Sequence, residues 1–401
     1  MTFFLWTEIC HFVNLSTCQL VNSNDLEEMK FAIVAINYYL CIKFKIYRKL
    51  ISENLSRMKE RSQYLDIVKG FAIILVVFGH CLQFGTFLYA NDKYFENNLY
   101  QFIYSFHMPL FTLISGYLFY GSISRYSTKY NFRTRFTNLL IPILAWNTIH
   151  AVLINAKGII AKQNIPWLDI LSSYFTSTWF LWAIFWCSLV VLAINKLCKD
   201  NIVVYLVVIS VSILLPNDYN ISNYIYMLPY FVIGYLWNKH HDKAAIESFT
   251  LSKKTILQSI VILFFVALIP FYQKEDFIYT SGTCIIEAGN KMDLNQLFID
   301  MYRFAIGLFG ALSALIALKL ASPYLGNIPT SILSNLGKKS IGIYIISTTF
   351  INLSLTKIPH ANEFGYLIAI IETLIILFTT YIITYLLSKN KITKKILLGS
   401  R

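Results

Sequence analysis

From about residue 65 onward the chain alternates long apolar stretches with short polar ones. Ten apolar stretches stand out, at about 65–87, 99–120, 137–155, 178–196, 201–216, 222–238, 255–273, 298–319, 340–357 and 364–387. Most are long enough to cross about 30 Å of hydrocarbon as helix, at about 1.5 Å of rise per residue; the two between 201 and 238 are marginal. Backbone polar groups inside a bilayer must be satisfied within their own segment, which selects helices for such stretches. The expected fold is therefore all-α, a polytopic integral membrane bundle of about ten transmembrane helices.

Composition agrees with that pattern. Of 401 residues, 56% are hydrophobic and only 14% charged. The net charge of +13 does not call for nucleic acid, because Lys and Arg collect in the cytoplasmic loops of membrane proteins. No nucleic-acid-binding module is recognisable. The seven cysteines have no CxxC or other metal-ligand spacing, and no disulfide is implied. Alternate loops differ in charge. One set carries Lys59 and Arg61, then Arg125, Lys129, Arg133 and Arg135, then Lys239, Lys243, Lys338, Lys339 and the lysines from 389 to 395. The other set carries scattered lysines (Lys93, Lys157, Lys162, Lys274, Lys291) but no Arg, and holds Asp92, Glu96, Asp169, Asp218, Glu275, Asp276 and Glu287. The positive-inside rule then predicts both termini in the cytoplasm of a multi-pass inner-membrane protein.

Residues 1–57 differ from the rest. Phe31 to Ile42 is apolar but only about 12 residues long, too short to span, and a basic stretch from Lys43 to Lys49 follows. A signal peptide fits poorly, since the leading region lacks positive charge. Two readings stay open for this extension: an over-long reading of the gene, with Met58 the natural start, or a peripheral amphipathic arm.

The first strong stretch carries the sharpest chemical signal. Lys69 and His80 are eleven positions apart. On a helix that is roughly three turns plus 20°, so they share a face about 16 Å apart along the axis. Ionisable groups deep in a bilayer are costly and usually functional. His107, in Phe106-His-Met-Pro-Leu-Phe111, lies on the next stretch. The short connection makes the two neighbours antiparallel, with both histidines roughly 10–12 Å from the outer surface. Two imidazoles at one level can bracket a substrate, and a neutral buried His is the usual general base. The alternative for each is a core histidine bonded to backbone. Metal would want a third ligand; His150 is the other intramembrane histidine and has no nearby carboxylate.

Four further features carry candidates. Asp66 precedes Lys69 by three residues and can pair with it. Arg125, Lys129, Arg133 and Arg135 either report topology or clamp a phosphate in forked geometry. Arg303 and Glu372 lie inside their stretches, as a buried ion pair or as polar groups lining a sugar cavity. Trp179 opens its stretch at the outer face, suited to sugar stacking or to an aromatic belt.

Two segments in tandem resemble the membrane acyltransferase-3 family, which includes bacterial polysaccharide O-acetyltransferases. They are Tyr64-Leu-Asp-Ile-Val-Lys-Gly-Phe-Ala-Ile-Ile-Leu-Val-Val-Phe-Gly-His80 and Phe106-His-Met-Pro-Leu-Phe-Thr-Leu-Ile-Ser-Gly-Tyr117. Trp179-Phe-Leu, Tyr230-Phe-Val-Ile-Gly-Tyr235 and Gly337-Lys-Lys-Ser-Ile-Gly-Ile-Tyr344 agree more weakly. The subgroup looks like the fucose 4-O-acetylase-like one. The resemblance covers about 61–387 and implies a membrane acyltransferase domain over 58–401, with His80 catalytic and Lys69 the basic partner that precedes it. A family pattern of two arginines three apart falls on Arg135 and position 138, which is Asn here; Arg133 then stands in.

The resulting expectation is an O-acetyltransferase with no bound cofactor. Acetyl-CoA or another acyl-CoA would enter from the cytoplasm as co-substrate, its phosphates meeting Lys69, Arg133 and Arg135. His80 and His107 would be catalytic; Trp179, Arg303 and Glu372 would contact the acceptor, a glycan or lipid-linked oligosaccharide, with membrane lipid around the bundle. A rival reading is a transporter or flippase for glycan or acyl groups, which would favour broken helices in symmetric pairs.

Overall fold

The computed structural model describes residues 63–86, 93–160, 170–171, 174–175, 178–216, 221–240, 255–286, 293–354 and 365–399. The extension at 1–57 lies outside the described residues. Every regular element among the described residues is helical. In order they are α1 (Gln63–His80), α2 (Asn98–Ile123), α3 (Thr128–Arg135), α4 (Ile141–Ile160), α5 (Trp179–Cys198), α6 (Ile202–Ser212) and α7 (Ile221–His240). They continue as α8 (Thr255–Leu268), α9 (Leu294–Ala321), α10 (Asn327–Lys338), α11 (Ser340–Ser354), α12 (Gly365–Lys389) and α13 (Lys391–Leu398).

Each of the ten apolar stretches coincides with a helix. Six helical runs are long and apolar enough to cross a membrane: 63–84, 98–123, 128–153, 179–198, 294–321 and 365–389. Three are shorter apolar helices, Ile202–Ser212, Ile256–Phe271 and Ser340–Ile351. The tenth, α7, is 20 residues long and largely buried. The protein is thus an all-α polytopic membrane protein. The stretch expected to span at 201–216 does not reach across, since α6 has 11 residues, about 16 Å of rise against about 30 Å of hydrocarbon. Three helices had no forecast, α3, α10 and α13. α3 is polar, whereas α10 and α13 are amphipathic rather than uniformly apolar, and each of those two packs on the bundle.

The core pairs are α2 with α7 and α1 with α10. Four glycines set both contacts. A methyl group on Gly116 of α2 would overlap the Phe231 carbonyl of α7, and one on Gly234 of α7 would overlap the Leu113 carbonyl of α2. Gly70 of α1 meets Leu333 of α10 in the same way, and Gly337 of α10 meets Asp66 of α1. Without a hydrophobic drive between helices in lipid, such backbone contact supplies the van der Waals area that holds them. α9 lies against α2 on another side and α5 against α7, so α2 is enclosed and most of its central residues are buried.

Two local irregularities position the site. α1 does not continue as α-helix to 87; it ends at His80 and widens into a π-helical turn, Cys81–Thr86. π turns often mark functional positions. Pro109 in α2 and Pro229 in α7 each remove one helical donor from facing helices.

Candidate active site

At the end of the bundle where α1 gives way to its π turn, a cavity of about 210 Å³ opens between α1, α2, α5, α7, α11 and the connection from α8 to α9. His80, Gln83, Tyr104, His107, Trp179 and Asn223 contribute to its wall, with Tyr226, Tyr272 and Tyr344 and the consecutive residues Asp276, Phe277, Ile278 and Tyr279. At about 30 Å³ per water this is room for roughly seven waters. A single sugar ring or the acyl end of a thioester fits; an oligosaccharide does not.

Both histidines have one ring nitrogen held by the protein. His107 Nδ1 lies 2.7 Å from the Ile103 carbonyl. A carbonyl can only accept, so Nδ1 carries the proton and Nε2 of the neutral ring is the basic nitrogen. His80 Nδ1 lies 3.3 Å from the Tyr104 hydroxyl, which donates to Gln83 Oε1 at 3.2 Å. His80 Nδ1 thus belongs to a polar network with Tyr104 and Gln83. The Tyr104 ring stands between them, with its centroid 4.8 Å from that of His107 and 6.4 Å from that of His80. Phe84 stacks on the His80 ring at 5.9 Å.

The roof of the cavity is the connection at 272–282. Asp276 Oδ2 accepts from the Gln273 N–H at 2.7 Å, closing a capping box on the one-turn helix Lys274–Asp276. Burial pushes the Asp276 carboxyl up from its ordinary value, opposed by the Gln273 N–H and by Arg303. Tyr279 ties the roof to α2 through a 2.7 Å bond with the Tyr100 hydroxyl.

The sequence-derived candidates divide into three groups. His80, His107 and Trp179 come together in the cavity wall. Arg303 and Glu372 do not line it and do not form an ion pair with each other. Arg303 is 1% exposed and pairs with Asp300 at 3.0 Å. Its remaining donors reach the carbonyls of Glu275 (3.1 Å), Asp276 (2.8 Å) and Gly282 (2.7 Å) and the Ser281 hydroxyl (2.5 Å). The direct acceptor contact expected of Arg303 is therefore corrected: its fork is occupied by the roof. Glu372 sits half-buried on α12, near Cys81 of the π turn.

Lys69, Arg133 and Arg135 form the third group, and none lines the cavity. Lys69 bonds Asp66 at 2.8 Å, as its spacing allowed. Arg133 is exposed, whereas Arg135 lies over the Phe119 ring at 4.3 Å with a buried Nε that has no hydrogen-bond partner. Two steps on a helix turn through about 200°, so the two arginines leave α3 on different sides and do not act as one fork. Asp276, Gln83, Tyr104 and Asn223 were missed by sequence reading. The π turn brings in Gln83, three residues past His80. The capping spacing from Gln273 to Asp276 was the one local signal for the roof.

Residues 62–389 match the acyltransferase domain family known as Acyl_transf_3, and the chain belongs to that family. The family model is described as an acyltransferase domain, and the long apolar helices make this chain a membrane-embedded member. It is similar to the Nodulation protein NolL of Sinorhizobium fredii (strain NBRC 101917 / NGR234), with 36% identity over 194 residues, 45% of this chain and 50% of that one. It is also similar to the Nodulation protein NolL of Mesorhizobium japonicum (strain LMG 29417 / CECT 9101 / MAFF 303099), with 30% identity over 179 residues, 44% of this chain and 48% of that one. The chain thus spans about half the length of the curated relatives it matches. No solved structure matches it.

Proposed function

We propose that the protein transfers an acetyl group from cytoplasmic acetyl-CoA to a hydroxyl of a cell-surface glycan or its lipid-linked precursor, in the inner membrane with both termini cytoplasmic. The observation that carries this reading is the pair of histidines, each with Nδ1 engaged by the protein, in one cavity the size of a sugar ring. Either imidazole can take the proton of an acceptor hydroxyl. The oxygen then attacks the thioester carbonyl, the C–S bond breaks, and the CoA thiolate leaves and is protonated. His80 is assigned the base, because it lies on the helix face that also bears Lys69. If instead His80 attacks first, an acyl-histidine forms and the acceptor resolves it.

Lys69 is assigned to the phosphate end of the donor, about three turns from His80. Arg135 supports the same end, its buried Nε being available to an anion. Arg133 contributes an exposed charge on another side of α3. The test is transfer from radiolabelled acetyl-CoA by the purified protein in detergent, with methyl glycosides as acceptors. Labelled product from wild type, and none from His80→Ala, is the expected result. Failure of wild type to cleave or transfer from the donor would defeat the reading and favour transport.

A further inference from the structure

The roof has a chemistry that its neighbours do not explain. Arg303, rooted in α9, spends four of its bonds on the backbone and one hydroxyl of residues 275–282. A buried guanidinium organising so short a connection is costly unless its geometry is needed. What it holds in place is the run Asp276 to Tyr279, all four of which face the cavity. Asp276 is 7% exposed. Its Oδ2 is taken by Gln273 and its backbone carbonyl by Arg303 and Tyr272. Among the described residues its Oδ1 has no hydrogen-bond partner, and the cation beside it, Arg303, is paired with Asp300 instead.

A buried carboxylate in the wall of a small cavity whose lining also includes Asn223, Trp179, Tyr272 and Phe277 has the mixed polar and aromatic make-up that suits a hydroxylated ring. Sugar hydroxyls would donate to Oδ1 while the ring's C–H face lies on an aromatic wall. The same oxygen repels a ligand carboxylate. We propose that Asp276 is the specificity-determining contact for the acceptor, selecting a neutral, hydroxyl-rich sugar ring over an acidic one, and that Arg303 is a positioning residue acting through the roof. This rests on the acyl-transfer reading.

The experiment uses the full-length protein in detergent, with acetyl-CoA and two acceptor panels, neutral methyl hexosides and the corresponding methyl hexuronides. Acetylated product is measured by mass spectrometry, and acceptor binding by Trp fluorescence. Wild type is expected to use neutral glycosides and reject uronides. Asp276→Asn should raise the KM for the neutral acceptor by about 10- to 150-fold, the size of one charge-assisted hydrogen bond, and narrow the preference over uronides. The KM for acetyl-CoA should shift far less. Arg303→Lys, which keeps the charge and loses the fork, should move the acceptor KM in the same direction without touching the ring. Should Arg303→Lys not fold, Asp276→Asn and Asp276→Glu decide alone, with Glu expected to recover part of the loss. An unchanged acceptor KM in Asp276→Asn, equal shifts for donor and acceptor, or wild-type preference for uronides would overturn the proposal while leaving acyl transfer intact. A wild type that cleaves no acetyl-CoA and binds no glycoside overturns both.

Discussion

Two aspartates at opposite ends of the bundle divide structure from chemistry. Asp200, in the turn between α5 and α6, is saturated: it accepts from Asn195 Nδ2 (2.8 Å), the Tyr205 hydroxyl (2.8 Å), the Tyr235 hydroxyl (2.9 Å) and Lys239 Nζ (2.8 Å). Burial acts to raise its carboxyl, but Lys239 and the three hydrogen bonds outweigh it and hold the group below its ordinary value. Asp276 is as buried, yet has one backbone donor on its side chain and no cation of its own, and burial wins. The residue types are alike at both ends. What differs is whether the protein uses up the hydrogen-bonding capacity or leaves it facing a cavity. Saturated polar groups fasten helices; unsaturated ones held in place are available to a ligand.

That contrast can be broken first at the cavity. His80→Ala should lower acyl transfer by at least about 10²-fold while the melting temperature in detergent stays near wild type. A well-folded variant with near-normal turnover would show that the cavity is a packing defect. Lys69 tests the contrast at the other end, where it pairs with Asp66 yet is assigned to the donor. Lys69→Ala should raise the KM for acetyl-CoA by about 10- to 150-fold and leave the glycoside KM within a few-fold. The reverse pattern would invert the sidedness of the site.

Asp200→Asn should do the opposite of His80→Ala. It removes the charge that faces Lys239 and should cost about 1–2 kcal/mol of stability, read from unfolding in detergent, with both KM values unmoved. The smallest effect is on pH dependence, and its sign differs at the two ends. For Asp200, whose folded pKa is depressed, stability is present above the ordinary carboxylate value and is lost as pH falls through the folded one. For Asp276, whose folded pKa is raised, stability is greatest below the ordinary value and declines as pH rises through the window up to the folded one. Asp276→Asn should therefore remove a small destabilisation at neutral pH even as it impairs acceptor binding. A variant that is both less stable and unchanged in acceptor KM would place Asp276 with Asp200.

Much of this was legible from residue order alone. Apolar runs cannot hide from a bilayer, so the ten apolar helices were readable, while the polar α3 and the amphipathic α10 and α13 were not. Lys69 and His80 were visible because a helix fixes their common face. The Gly70, Gly116, Gly234 and Gly337 motifs were readable as a resemblance, but not as two reciprocal backbone contacts, because the partners lie more than 100 positions apart. The same distance hid the roof. Asp276 read as one more loop acid, and Arg303 as a sugar ligand, until the fold carried α9 beneath residues 275–282. Arg133 and Arg135 read as a clamp because a cluster of loop cations shows charge and not the turn of helix between them. The 11-residue α6 read as a marginal span since hydropathy does not mark where a helix stops.

The touching glycines have a mechanical consequence. Side-chain interfaces can repack gradually, but a seam of backbone against backbone leaves no intermediate spacing into which it can relax. α1 with α10, and α2 with α7, therefore move as two stiff struts or not at all. His80 and His107 are then each fixed on a strut of their own, α1 and α2. Hydrogen–deuterium exchange should find the amides around Gly116 and Gly234 staying closed while those at the start of α5, which is not seamed in this way, open sooner.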